Sequence, residues 1–224
     1  MKRFFPAFFL IVIVLAVYPF LDDEGAAKKL SGLPWQIAHD ADGFTRVFGI
    51  SPGRSTLADA AAVLGEDYEL ALVQKGDALA LEMYFGHYRA GLLSAKMVLA
   101  ARVDEAVLQR WRERVVKTDY MGDGKAKKLF LHADDMKPAL ASVIDSIAFI
   151  PAVNLDDTVI RQRFGEPAQV LAAAGGVTHY LYPRKGLAIA LSASVKEVLQ
   201  YVAPADFERL RRPLAGGGEA IPEN

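Results

Sequence analysis

The period of the hydrophobic positions changes several times along this chain, and each change marks an element. Residues 4–21 form an uncharged, strongly apolar run without amphipathic alternation. Further on, Leu57, Ala60, Ala61 and Leu64 recur at helical spacing. Ser55 or Thr56 is placed to cap that helix, Asp59 completes a capping box with Thr56, and Gly65 ends it. The period then drops to two: Leu79, Leu81, Met83 and Phe85 alternate with smaller or polar residues, as an antiparallel strand with one buried face requires. Strands are therefore predicted over 68–73 and 78–85, around the turn residues Lys75, Gly76 and Asp77, with a third over 92–101. Asp104 caps a predicted helix reaching about Lys117, with Val107, Leu108, Trp111 and Val115 on one stripe. Upstream, 35–39 and 44–48 flank Asp40 to Gly43 and read as a hairpin.

A similar series follows. Residues 129–132 read as a strand, 136–147 as a helix, 148–150 as a short strand, and Asp156 caps a helix carrying Val159, Ile160 and Phe164. Strands over 178–182 and 187–191 surround Pro183 to Gly186; a strand over 195–202 and a closing helix over 205–212 complete the series. The two series are collinear. Gly65 and Glu66 recur as Gly165 and Glu166, an offset of 100, and Gly76, Gly86, Lys96, Val98 and Leu99 recur at 176, 186, 196, 198 and 199. The expected organisation is α+β: two tandem repeats, 31–117 and 129–212, each a short helix, an antiparallel meander and a closing helix. The polar, glycine-bearing segment 118–128 is expected to be the linker, and 213–224 a disordered tail.

The apolar run decides location. Eighteen residues of helix extend roughly 27 Å, close to the ~30 Å of a bilayer core. Lys2 and Arg3 precede it and Asp22, Asp23 and Glu24 follow, which predicts a cytoplasmic N-terminus and an exported C-terminal part. A cleaved signal peptide and an uncleaved anchor both fit this pattern. The bulky residues Val17 to Leu21, where cleavage wants small side chains, favour an anchor within residues 1–24. The expectation is a single-pass protein of the inner membrane with a periplasmic domain.

Two short stretches carry a resemblance. Gly49, Ile50, Ser51, Pro52 and Gly53, followed by Thr56, Ala60, Leu64, Gly65 and Glu66, resemble the opening motif of the BamE (SmpA/OmlA) outer-membrane-assembly family. Asn154 to Asp156, with Ile160, Phe164, Gly165, Glu166 and Pro167, resemble it again. The β-lactamase-inhibitor protein is built as a tandem of a similar α+β unit. The resemblance implies a duplicated fold of this kind and a role in envelope protein assembly. Three features depart from it: the second stretch lacks the glycine before the cap, Asp67 stands where proline is expected, and the chain has no cysteine to carry a lipid.

Composition narrows the chemistry further. Lys plus Arg is 26 against 27 Asp plus Glu, a formal charge of −1, so the electrostatic footprint of a nucleic-acid binder is missing. Without cysteine there is no disulfide, thiolate nucleophile or Cys-ligated zinc. His39, His87, His132 and His179 are scattered and form no H-x-H or H-x₃-H pair. Ser51, Ser55 and Ser94 lack a nucleophile-elbow setting, and Glu66 and Glu166 read as solvated residues after helix stops. No catalytic residue, metal or cofactor is implied, and the chain reads as a non-enzyme.

Two groups remain as candidate protein-binding residues. Tyr84, Tyr180 and Tyr182 lie on strands whose outward side chains would form an aromatic sheet face. Arg110 and Arg114 on one closing helix, with Arg209 and Arg211 on the other, form basic clusters suited to an acidic partner or anionic headgroups. The expectation is a non-catalytic binding or scaffold module in the envelope, held at the membrane by residues 4–21, with a protein partner. The alternative is a receptor or enzyme using a cleft between the repeats, where convergence of His39, His132 or His179 with carboxylates would be the sign.

Overall fold

The computed structural model describes residues 32–122, 124–215 and 218–220; the expected membrane span lies outside them. No described helix is long and apolar enough to cross a membrane. The described chain is α+β and mostly strand. A two-residue hairpin, β1 (Ala38–His39) and β2 (Thr45–Arg46), precedes α1 (Leu57–Leu64). Then come β3 (Glu69–Lys75), β4 (Ala78–Ala90), β5 (Leu93–Arg102), α2 (Glu105–Arg112), β6 (Lys117–Met121) and β7 (Ala126–Phe130). The chain continues with α3 (Ala133–Leu140), β8 (Val143–Pro151), α4 (Asp157–Phe164), β9 (Gln169–Ala173), β10 (Val177–Tyr182), β11 (Leu187–Ser192) and β12 (Val198–Val202). It closes with α5 (Phe207–Ala215) and β13 (Gly218–Ala220).

Eleven strands join in one antiparallel sheet, in the order β13-β9-β10-β11-β12-β8-β5-β4-β3-β7-β6. Two four-strand runs, β3-β4-β5-β8 and β9-β10-β11-β12, meet edge to edge where β12 pairs with β8. Each run starts after a capped helix. Thr56 accepts from the Asp59 amide while Asp59 accepts from the Thr56 amide, and Asp156 accepts from the Val159 amide. Gly65 (φ 101°) and Gly165 (φ 79°) end these helices in the left-handed half of φ space. Outside each run, a later segment pairs with the first strand: β7 with β3 and β13 with β9.

Alternation along the strands places two different surfaces on the two sides of the sheet. On one side Leu81, Met83, Phe85, Met97, Leu99, Ile147, Phe149, Leu199 and Tyr201 are buried. They pack with Leu57 and Ala60 of α1, Leu108 and Trp111 of α2, Ala139 of α3, and Ile160 and Phe164 of α4 in one continuous core. Loop residues Val47, Phe48 and Ile50 fill its centre, where Phe48 stacks on Phe149 with centroids 5.0 Å apart. A smaller cluster forms on the opposite side, where Phe207, Leu210 and Leu214 of α5 pack on Leu171, Leu181, Ala188 and Val202.

Several expectations are corrected. Segment 118–128 is not a linker: its strands β6 and β7 form an antiparallel hairpin, with Thr118 opposite Leu129, that extends the sheet beyond β3. The helix expected over 136–147 stops at Leu140. The apolar positions 144 and 147 that read as helical lie, with 149 of the expected short strand, on the inward side of β8, the strand that pairs with both β5 and β12. The helix expected up to Lys117 stops at Arg112, since Lys117 already pairs with Phe130 in the hairpin. The tail is ordered further than expected: α5 runs to Ala215, and Gly218–Ala220 pairs with β9. At offset 100, Gly76 and Gly176 both occupy strand turns, but Gly86 lies inside β4 whereas Gly186 sits between β10 and β11.

Candidate functional site

Four helices cover one side of the sheet, and α5 covers only the β9–β12 part of the other. The second side of β3, β4, β5 and β8 therefore carries no helix among the described residues. Its side chains can be read from the registers. Glu69, Tyr84, Val98, Ala148, Gln200 and Ala188 stand opposite one another in turn, making one row across six adjacent strands. Ala71, Glu82, Ala100 and Ser146 form the neighbouring row. Most of these side chains are small or apolar and only partly buried, so the strands present a shallow surface about as wide as four strands.

Charge on this face is sparse and placed. Lys128 donates to Glu69 at 2.8 Å, and its ammonium lies 5.7 Å from the Tyr84 ring centroid. Glu82 stands between Ala71 and Ala100, and burial raises its carboxyl above the ordinary range. Where the face meets α5, an extra residue in β8 between Ile144 and Ser146 projects Asp145 toward two arginines. Arg102 donates to Asp145 at 2.7 Å and to Asp206 at 2.8 Å, and Arg209 donates to Asp145 at 2.8 Å. Burial pushes the Asp145 carboxyl up, but the hydrogen bonds from Arg209 and Arg102 outweigh it and hold it below its ordinary value.

The expected binding residues are not brought together. Tyr180 and Tyr182 are core residues, each 4% exposed. Tyr180 donates to Asp157 and Tyr182 to the Gly165 carbonyl, both at 2.9 Å, so these rings anchor α4 to the sheet and do not form an exposed aromatic face. Burial pushes the hydroxyls of both up to about 12, that of Tyr180 with help from its bond to Asp157. Tyr84 alone of the three lies on the open face. The basic clusters are largely satisfied internally. Arg114 pairs with Asp134 and Asp135, Arg209 with Asp145 and Asp206, and Arg211 with Glu208. Arg110 is exposed on α2.

The histidines also serve local structure. His132 caps α3, its Nδ1 accepting from the Asp134 amide, and His39 Nε2 lies 2.9 Å from the Arg184 carbonyl. His179 is on β10, where burial lowers its pKa, and His87 is in β4. Among the described residues no three His, Asp or Glu side chains group to hold a metal ion. An outward sheet face was expected, but of the tyrosines assigned to it only Tyr84 lies there, and its small residues were not singled out. Its signal was present in the alanines of β4, β5 and β8 at the positions alternating with Met83, Met97, Leu99, Ile147 and Phe149.

Comparison with known proteins returned no match: no family model, no curated protein and no solved structure is similar to this chain.

Proposed function

We propose that this protein is a non-catalytic docking module of the cell envelope, which uses the uncovered face of β3, β4, β5 and β8 to hold a protein partner. The observation carrying this reading is the row Tyr84, Val98 and Ala148, apolar and partly buried in the middle of a sheet side that no described helix covers. A broad, shallow surface of small side chains suits a protein better than a small molecule, since small-molecule sites are enclosed and concave. On this reading the apolar run at residues 4–21 tethers the module to the inner membrane, with the N-terminus inside and the module in the periplasm. The mirrored order of the two four-strand runs supports descent from a duplicated α+β unit of the BamE-like kind, and with it a part in envelope protein assembly.

Ala148→Glu places a charge in the centre of the face without touching the main core. Crosslinking from native membranes with this variant is expected to lose the protein recovered with wild type. Equal recovery would contradict the reading.

A further inference from the structure

At one end of the open face the β4–β5 register shifts between Phe85 and Tyr88, so that Gly86 and His87 bulge out of the ladder. A recess of about 420 Å³ lies beside this bulge, between the first-run strands β4 and β5 and the end of β8. Lys96 is opposite Ile150, two positions along from the Val98–Ala148 pair, so both belong to the open face. Ile150 and Ala152, with the strand backbone at Ala95 and Pro151, make an apolar floor, and the lining also carries His87, Arg89, Lys96 and Lys196. Among the described residues, no acidic side chain lines the recess. Lys196 donates to the Ala152 carbonyl and to Asn154 Oδ1, neither of which neutralises its charge. Arg89 and Lys96 make no ion pair or hydrogen bond among the described residues, whereas Arg54, Arg102, Arg114, Arg161, Arg209 and Arg211 are all paired with carboxylates. Asp67 and Glu69 line a neighbouring depression that shares Gly86, His87 and Lys96 with the recess, but neither pairs with Lys96, and Glu69 is held by Lys128.

From this arrangement we infer that the recess is the specificity end of the docking face, and that it takes an acidic segment of the partner: a bulky apolar side chain flanked by carboxylates. The inference rests on the docking reading above. The apolar side chain covers Ile150 and Ala152, and the flanking carboxylates meet the guanidinium of Arg89 and the ammonium of Lys96. Arg89 and Lys96, two cations without a carboxylate partner on the lining of one apolar recess, are the complement of such a segment. Their exposure also makes the attraction sensitive to salt.

The test uses the full chain in nanodiscs of zwitterionic lipid and two dye-labelled, capped peptides read by fluorescence anisotropy. One peptide places Phe between two pairs of Asp and Glu; the other replaces these by Asn and Gln. The acidic peptide is expected to bind at least about tenfold more tightly at low salt, a difference of ~1.4 kcal/mol, with the preference shrinking at high salt. Arg89→Glu with Lys96→Glu should abolish the preference, and Arg89→Ala with Lys96→Ala should reduce it, with the circular dichroism of both unchanged. Equal binding of the two peptides, no binding of either, or a preference unaffected by the substitutions would overturn the inference. Those results leave crosslinking at Ala148 untouched, so failure here is distinguishable from failure of the docking reading.

Discussion

Val98 and Ala148 stand directly opposite each other across the β5–β8 ladder, on the side of the sheet that no described helix covers. One register position away, Met97 and Phe149 are paired across the same ladder and are fully buried. The same two strands thus present a packed core on one side and a surface of small apolar groups on the other. That contrast separates residues that hold the fold from residues free to contact a partner.

Val98→Glu should leave the fold intact, since the side chain lies outside the main core. A loss of about 1 kcal/mol is expected by denaturant unfolding, in the ordinary range for single substitutions. Met97→Ala, one residue away, should cost about 2–5 kcal/mol through the cavity it leaves. Similar losses for both would mean that the open side is packed after all.

Tyr180→Ala and Tyr182→Ala should each cost about 3–5 kcal/mol, as truncation of a large buried aromatic side chain does. Tyr182→Phe removes only the bond to the Gly165 carbonyl and should cost ~1 kcal/mol. Alanine variants with unchanged melting temperatures would return these tyrosines to the surface.

Glu82 gives the stability a definite pH dependence. Its carboxyl is raised in the folded state by burial, so the unfolded chain ionises first and folding favours the protonated form. This contribution to stability is present at pH below the ordinary carboxyl value and is lost as pH rises through the raised one. Glu82→Gln should therefore stabilise the protein more at pH 7 than at pH 4, measured by thermal unfolding. An equal gain at both would contradict the assignment.

Asp145 behaves in the opposite sense. Its lowered carboxyl contributes stability above the ordinary value of 3.8, and that stability is lost as pH falls below it through the folded value. Asp145→Ala leaves Arg102 with only Asp206 and removes one of the two partners of Arg209, at an expected cost of about 1–2 kcal/mol for a partly exposed network. The cost should shrink in high salt.

Gly186 and Gly65 separate two reasons for a glycine. Both have positive φ, but a Cβ at Gly186 would lie 2.1 Å from the Val202 carbonyl oxygen, while one at Gly65 meets nothing within 4 Å. Gly65→Ala should cost ~1 kcal/mol from the backbone alone. Gly186→Ala should cost clearly more, because the β11–β12 ladder has to move. Equal melting temperatures would exclude the clash.

Much of the local structure was legible because its determinants are local. Thr56 and Asp59, Gly65 and Gly165, and the alternation from Leu79 to Phe85 each encode a cap, a stop or a strand within a few residues. The strand β8 was hidden, since Ile144 and Ile147 fit a helical period as well as a strand and only pairing with β5 and β12 decides between them. Hairpin β6–β7 looked like a linker because Thr118, Asp119 and Tyr120 form an exposed edge strand with few core residues. The candidate site was the least legible part. Tyrosine marks an interface or a core equally well, and Tyr180 and Tyr182 proved to be core, whereas alanines such as Ala100 and Ala148 carry no signal until the helices are seen to lie on the other side.

Photocrosslinking from Val98 reads out directly whether a partner sits on the open face. A photoreactive phenylalanine analogue is placed at Val98, and at Val63 on α1 as a control on the helix-covered side, where the side chain is 53% exposed. Irradiation of native membranes should give a discrete protein adduct from position 98 that disappears when Ala148→Glu is added, and none from position 63. No adduct from position 98, or the same adduct from both positions, would contradict a docking role for the open face.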